Sequence, residues 1–221
     1  MKIGLIGNNI SSSNAPDIHI RLAKIFQIPL EYLLFDLKDK EEDYFVVLLE
    51  ELRVTGFKGV NITFPFKEKV IKHVDNISKN SRNVGSANTL IFRKKITAQN
   101  TDYTGFLKTY NFHFGKNTPG TILVLGAGGV SRAISFGLAS LGAEKIFLID
   151  KDETKANRLS KDLSILNINC VLTKHDQIEK NLSSFDGIIN CTPVGHYDFP
   201  GCPLGNLMPY KKQWIFDAVY T

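Results

Sequence analysis

The sequence predicts an α/β protein of two domains. Three observations predict it. Short apolar runs of strand length alternate with apolar stretches of helical period along the chain. A glycine turn, Gly126–Gly129, lies directly between one such run and one such helix. A polar stretch, Asn111–Gly120, ends in Thr118-Pro119-Gly120 and interrupts the pattern. The 221 residues suit one large or two small domains. The interruption favours two, 1–112 and 118–221.

The elements follow in order. Ile3–Ile6 reads as a buried strand ended by Gly7. Pro16 opens a helix with Ile18, Leu22, Ile25 and Phe26 on one face. Tyr32–Phe35 is a second strand, and a helix from about Glu41 to Leu52 carries Phe45, Leu48, Leu49 and Leu52 on one side. Gly59–Thr63 is a third strand, and Pro65 starts a helix with Val70, Ile71 and Val74. Thr89–Phe92 and Ile96–Thr97 form a hairpin around Arg93-Lys94-Lys95. Beyond the break, Thr121–Leu125 is a strand, and Val130–Leu141 is a helix stopped by Gly142. Lys145–Ile149, Cys170–Leu172, Gly187–Asn190 and Trp214–Phe216 are further strands, with a helix over Thr154–Leu166. Strand and helix alternate, which implies a parallel sheet covered on both faces.

Composition narrows the function classes. The hydrophobic fraction of 43% and charged fraction of 22% are those of a globular protein with a packed core. The net charge of +5 is modest, and its lysines are scattered. No basic stripe with interleaved aromatics appears, so no nucleic-acid partner is expected. The three cysteines, Cys170, Cys191 and Cys202, form no C-x-x-C pair. An odd count at such spacing argues against a disulfide framework and against structural zinc. Reduced thiols in a cytoplasmic protein are the expectation, with no metal. The apolar run at the N-terminus is too short for a signal peptide, and no run of membrane-spanning length occurs.

The sharpest local signal is the turn Gly126-Ala127-Gly128-Gly129, with Val130 opening the helix. Glycines between strand and helix let the backbone approach a pyrophosphate, and the helix N-terminus offers unpaired N–H groups and a positive dipole end. The third small position is Ser131, so the pattern is G-x-G-x-x-S. Asp150 ends the next strand, roughly 20 residues on, where an acidic side chain meets the adenosine ribose. Together these indicate a Rossmann-type dinucleotide-binding domain. The competing reading is an ordinary glycine turn with an unrelated surface Asp. Asp150-Lys151-Asp152 favours NAD, because two carboxylates beside the ribose repel a 2′-phosphate, although Lys151 leaves NADP possible.

Lys67 falls in the first turn of the helix opened by Pro65, where a cation meets the positive dipole end. Stability alone selects against it, so Asn61-Ile62-Thr63-Phe64-Pro65-Phe66-Lys67 reads as a segment placed for chemistry. Asp102, in Asn100-Thr101-Asp102, is expected to cap the helix that follows. These segments resemble a known family. With Gly85-Ser86-Ala87-Asn88-Thr89-Leu90, Gly126–Arg132, Asn190-Cys191-Thr192-Pro193-Val194-Gly195 and Asp217-Ala218-Val219-Tyr220, they stand in the order and at the separations of the shikimate/quinate dehydrogenases. The resemblance runs from Ile6 to Thr221. It implies an N-terminal α/β substrate domain and an oxidoreductase of the shikimate pathway of aromatic amino acid biosynthesis. The implied reaction is reversible hydride transfer between a nicotinamide and the C3 alcohol or ketone of shikimate or quinate.

Carried over by the resemblance, Lys67 and Asp102 are the catalytic pair, able to hold and polarise the reacting oxygen. Ser13, Asn61, Thr63, Asn88, Thr101 and Tyr220 match substrate-binding positions. Thr192, Pro193 and Val194 follow a strand end where the nicotinamide is expected, although a plain βα turn explains them equally. The Asp-x-Asp at 150–152 is closer to the NAD-using quinate/shikimate branch than to the NADP-using branch, which carries Asn-Arg-Thr there. Two departures stand out. The family's Ser-x-Ser or Ser-x-Thr before Pro is Ser13-Asn14-Ala15-Pro16 here, so one hydroxyl for the substrate carboxylate is missing, and Ala15 is a poor helix cap. The family's C-terminal helical segment is not present after Thr221. A monomer or homodimer is expected. A non-catalytic ligand-sensing relative is the alternative, and an aminoshikimate or methylene-folate dehydrogenase a more distant one.

Overall fold

A computed structural model describes residues 1–38, 40 and 42–219. Its contacts divide the chain into two units, Met1–Thr101 and Asp102–Thr221.

The first unit runs β1 (Lys2–Gly7), α1 (Ala15–Ile25), β2 (Glu31–Asp36), α2 (Glu42–Val54), β3 (Phe57–Ile62), α3 (Phe66–Lys69), β4 (Asn76–Ile77), α4 (Lys79–Val84), β5 (Thr89–Phe92) and β6 (Ile96–Gln99). The strands form one six-stranded sheet in the order β2-β1-β3-β5-β6-β4. β1 runs parallel to β2 and β3, and β5 runs antiparallel to β3 and β6. The two faces bury different sets, as a period-2 alternation requires. One face carries Ile6, Val60, Ile62, Leu90 and Phe92, packed with Phe45, Leu48, Leu49 and Leu52 of α2 and Phe66 of α3. Phe45 and Phe66 stack with centroids 4.6 Å apart. The other face buries the smaller set Leu5, Ile10 and Tyr32, with Ala15 and Ile20 of α1 against it.

Helix α1 departs from expectation. Ile18, Leu22, Ile25 and Phe26 do share a face, but it is exposed, with Ile25 at 73% and Phe26 at 69%. The helix instead turns Ala23 inward, with Ala15 and Ile20. Small residues let it lie close to the sheet, and spacing alone could not choose between the two faces. The helix begins at Ala15 with Asn14 at the N-cap, so Ala15 is not the cap residue. The helix expected from Pro65 is short, and its path continues as a 3₁₀ turn, Val70–His73.

The second unit runs α5 (Thr101–Phe114), β7 (Thr121–Leu125), α6 (Gly129–Ser140), β8 (Lys145–Ile149), α7 (Glu153–Ser164), β9 (Cys170–Leu172), α8 (His175–Asn181), β10 (Gly187–Asn190) and β11 (Trp214–Asp217). Its five strands are all parallel, in the order β11-β10-β7-β8-β9. Renumbered within the unit, that order is 3-2-1-4-5 read from β9, the doubly wound arrangement with its switch point between β7 and β10. Residues of α5 past Thr101 group with this unit, ahead of the polar break at Asn111–Gly120. The cause is aromatic packing: Phe106 lies edge-on to Phe216, and Tyr110 and Phe114 pack on Trp214. No helix among the described residues is long and apolar enough to cross a membrane.

Candidate active site

In the first unit the candidate residues gather at one end of the sheet. The register brings them there: Asn61 opposes Thr89, and Thr89 opposes Gln99. The ladder continues past the strands, with Ile62 N–H donating to Asn88 O at 2.8 Å and Asn88 N–H to Gln99 O at 3.1 Å. Asn88 is the hub. Its Oδ1 accepts the Thr101 N–H at 2.8 Å, the Thr101 hydroxyl at 3.0 Å and the Thr89 hydroxyl at 3.1 Å. Asn61 Nδ2 reaches the Thr89 hydroxyl at 3.4 Å. The result is a half-buried patch of neutral amides and hydroxyls, chemistry suited to a polyol rather than to an apolar ligand. Buried Asn100 staples its underside, donating to Ser86 O at 3.1 Å and to the Ser86 hydroxyl at 3.0 Å.

Thr63 follows β3 directly, its N–H bonded to Ile6 O at 2.9 Å. Lys67, half-buried in α3, is tied to the patch through its backbone, because its carbonyl accepts the Ala87 N–H at 2.8 Å. Ser13 stands in the loop after β1, and its hydroxyl accepts the Ala15 N–H at 3.2 Å. That bond uses one lone pair and leaves the hydroxyl proton available. Asp102 follows Thr101 in the chain. Because α5 starts at Thr101, Asp102 sits in the first helical turn rather than before it, where its charge favours the helix dipole. Tyr220 lies outside the described residues.

Two residues that the sequence reading passed over join this end of the sheet. The Tyr32 hydroxyl donates to Asn61 Oδ1 at 2.9 Å, and the His19 ring stacks on Tyr32 with centroids 4.9 Å apart. Burial pushes the His19 imidazole below its ordinary value, and its hydrogen bond with the Asn61 side chain pulls the other way. Tyr32 looks like a core member in the sequence, and only strand register reveals where it points, while the packing of α1 on the sheet brings His19 over its ring.

In the second unit the candidates line the carboxyl ends of β7, β8 and β10, on either side of the switch point, where open parallel sheets take ligands. Gly126 has φ +97°, and a Cβ there would lie 3.0 Å from the Cys191 backbone. Only glycine meets both demands. Gly128 has open space where a Cβ would stand, so the backbone at the start of α6 is approachable from outside. Ala127, Gly129 and Val130 complete the turn. Ser131 is fully buried, a small side chain at the helix–strand contact. These features fit a pyrophosphate on the helix N-terminus.

Asp150 does more than face outward. Its Oδ2 accepts the Ala127 N–H at 2.6 Å and its Oδ1 the Asp152 N–H at 2.8 Å. A carboxylate has about four acceptor positions, so two remain for a ribose. Asp152 does not join it there: its Oδ1 caps α7, taking the Thr154 and Lys155 N–H groups at 3.1 and 3.2 Å. The cavity beside Asp150, about 680 Å³, is lined by Lys151, Glu153, Thr173, Lys174 and His175 among others. Past β10, Asn190 shapes the turn that holds Thr192, Pro193 and Val194. Its Oδ1 accepts the Thr192 N–H and hydroxyl at 3.0 and 2.7 Å, and its Nδ2 donates to Val194 O and to Asp217 Oδ1 at 3.0 and 2.9 Å. No cluster of metal-ligating side chains occurs among the described residues.

A parallel sheet in this order, with a glycine turn and an acidic strand end at its switch point, defines a Rossmann-type dinucleotide-binding fold. Comparison with known proteins makes the identity specific. A family profile described as the shikimate dehydrogenase substrate binding domain matches residues 5–90. The chain is 32% identical to the shikimate dehydrogenase (NADP(+)) of Clostridium botulinum (strain Loch Maree / Type A3), covering 99% of this chain and 81% of that protein. It is 30% identical to the quinate/shikimate dehydrogenase (NAD(+)) of Corynebacterium efficiens, covering 99% and 79%. The structure of quinate dehydrogenase from Corynebacterium glutamicum in complex with NAD is similar with a TM-score of 0.88 at 26% identity, covering 100% of this chain and 80% of that one. The chain belongs to the shikimate dehydrogenase family.

Proposed function

We propose that this chain catalyses reversible, NAD(P)-dependent hydride transfer between shikimate or quinate and the corresponding 3-dehydro ketone. The observation that carries the reading is the hydrogen-bonded patch of Asn61, Asn88, Thr89 and Thr101 beside Lys67. It offers donors and acceptors in the neutral, closely spaced form that a ring polyol requires. The first domain, 1–112, is the substrate side, and the second, 118–221, the dinucleotide side.

The roles follow from side-chain chemistry. When bound, the nicotinamide accepts or returns the hydride. Lys67 and Asp102 hold the reacting hydroxyl: the ammonium stabilises the oxygen as its proton leaves, and the carboxylate orients it. Asn61, Thr63, Asn88, Thr101 and Tyr220 bind the remaining hydroxyls, and Ser13 faces the substrate carboxylate. Gly126, Ala127, Gly128, Gly129 and Val130 take the pyrophosphate. Asp150 takes the adenosine ribose with Lys151 beside it, and Thr192, Pro193 and Val194 flank the nicotinamide. Asp150 makes NAD the preferred dinucleotide, because its charge repels a 2′-phosphate. No observation favours a non-catalytic relative.

The test is a steady-state assay of shikimate and quinate, each against NAD and NADP, on the wild-type chain and on Lys67→Ala. General acid–base and electrostatic assistance at such a site contributes roughly 10²–10⁴-fold, and Lys67→Ala should lose about that much turnover. Retention of most of the turnover in Lys67→Ala places the reacting centre elsewhere.

A further inference from the structure

We propose that Tyr32, backed by the His19 ring stacked on it, is a positioning residue that fixes the side-chain amide of Asn61 with its oxygen turned into the protein and its N–H edge turned to the substrate. The inference rests on the reading of Asn61 as a substrate-side residue and adds how that side chain is aimed.

Strand register sets the geometry. Ile3 on β1 opposes Tyr32 on β2, and Leu5 opposes both Leu34 on β2 and Asn61 on β3. Directly opposed residues share a face, so Tyr32 and Asn61 point to the side covered by α1, with β1 between them. The long phenol crosses that strand and brings its hydroxyl to Asn61 Oδ1 at 2.9 Å. The ring is 8% exposed and packed with Leu5 and Ile10, so the hydroxyl has little freedom to turn elsewhere. His19 of α1 lies over the same ring, nearly parallel at 19° with centroids 4.9 Å apart.

An asparagine amide is nearly symmetric in shape, and only its hydrogen bonds decide which end is oxygen. Here the Thr89 hydroxyl, which donates to Asn88 Oδ1, is left to accept from the Asn61 amide nitrogen, and the phenol donates to the oxygen end from the α1 side. One N–H of the amide is directed to the Thr89 hydroxyl at 3.4 Å. The other N–H remains a donor of fixed direction at the carboxyl end of β3. With the phenol hydroxyl removed, the amide can rotate and present either end. A substrate hydroxyl then meets a mixed population, and binding weakens without any change in the reacting groups.

The experiment is a double-mutant cycle on the full chain, read as separate KM and kcat values. Tyr32→Phe keeps the ring, its stack on His19 and its burial. It is expected to raise the KM for the polyol substrate roughly 3–10-fold, the worth of one neutral hydrogen bond. The dinucleotide KM should not move, and kcat should fall far less than KM rises. In an Asn61→Ala background, Tyr32→Phe should have no further effect. His19→Ala, which removes the ring stacked on Tyr32, is expected to raise the same KM by a smaller factor, and it provides the readout should Tyr32→Phe fold poorly. An unmoved KM in both Tyr32→Phe and His19→Ala, or a KM rise of equal size with and without Asn61, overturns the positioning role. A wild-type chain that turns over neither shikimate nor quinate defeats the functional reading itself, and this inference with it.

Discussion

The Asp150 carboxylate accepts the Ala127 N–H at 2.6 Å and so ties the end of β8 to the glycine turn after β7. One charged side chain thus holds the loop proposed for pyrophosphate and lines the cavity proposed for adenosine. Asp150→Asn keeps the shape but leaves a single acceptor oxygen for two backbone donors, and it removes the charge. A hydrogen bond to a charged group is worth about 1.5–3 kcal/mol, so kcat/KM with NAD should fall roughly 10–100-fold. Activity with NADP should fall less, because repulsion of the 2′-phosphate is relieved. An unchanged NAD-to-NADP ratio in Asp150→Asn refutes the specificity assignment.

Gly126 is constrained twice, by its φ of +97° and by the Cys191 backbone 3.0 Å from where a Cβ would sit. The left-handed conformation alone costs an L-residue about 1–2 kcal/mol. In Gly126→Ala the loop must shift away from the turn after β10. Dinucleotide affinity, followed by equilibrium titration, should drop at least about tenfold, while affinity for the polyol alone should not change. Wild-type dinucleotide affinity in this variant contradicts the loop assignment.

Asn88 carries both structure and site. Asn88→Ala removes the oxygen that accepts the Thr101 N–H at 2.8 Å and the Thr89 and Thr101 hydroxyls at 3.1 and 3.0 Å. A loss of about 1–3 kcal/mol in unfolding free energy is expected, measured by denaturant titration, together with a higher KM for the polyol. Asn88→Asp keeps an acceptor oxygen for the Thr101 N–H, though not the amide donor to the Thr101 hydroxyl, and should recover much of the stability. Equal stability loss in both variants speaks against the hub role.

Asp36 supplies the pH dependence. Its carboxylate accepts the backbone N–H of Lys38, Ile10 and Asn9, and these bonds hold its carboxyl below the usual carboxylate range, with the Lys38 bond the largest cause. A folded value below the unfolded one means the unfolded chain binds the proton first. The stabilisation is therefore full above the unfolded value of about 4 and is lost as pH falls through the depressed folded value. Asp36→Asn should show a shallower acid limb in unfolding midpoint against pH than wild type. Superimposable acid limbs are the outcome that removes Asp36 from the account.

Much of this was legible in the chain itself. β7, the glycine turn, α6 and β8 each have an unambiguous local signature: an apolar run, φ-permissive glycines, a helical period stopped by Gly142, and an acidic strand end. Helix α4 carried no such signature, because Lys79–Val84 is short and polar and is defined by the Ser78 cap and Gly85 at φ +71° rather than by an apolar stripe. Spacing grouped Ile18, Leu22, Ile25 and Phe26 on one face of α1 but could not show that this face is exposed, while Ala15, Ile20 and Ala23 turn inward. Tyr32, His19 and Asn190 escaped notice as site residues because their meaning lies in what faces them across strands, which residue spacing along one strand does not encode. Asp152 was credited to the ribose because nearness in sequence hides that the strand ends at Ile149 and that Asp152 already belongs to the start of the next helix. Its carboxylate turned back to cap α7.

The Asn190 side chain has a consequence for how this protein ages. Its amide nitrogen lies 2.9 Å from a carboxylate oxygen of Asp217, and it also donates to Val194 O. Spontaneous deamidation there would replace the nitrogen with oxygen and set two carboxylates face to face, where like charges resist sharing one site. One of the pair would have to take up a proton or swing away, releasing the turn at Thr192–Val194. A change of a single mass unit at one buried residue would therefore mark molecules in which the turn at Thr192–Val194 has been released.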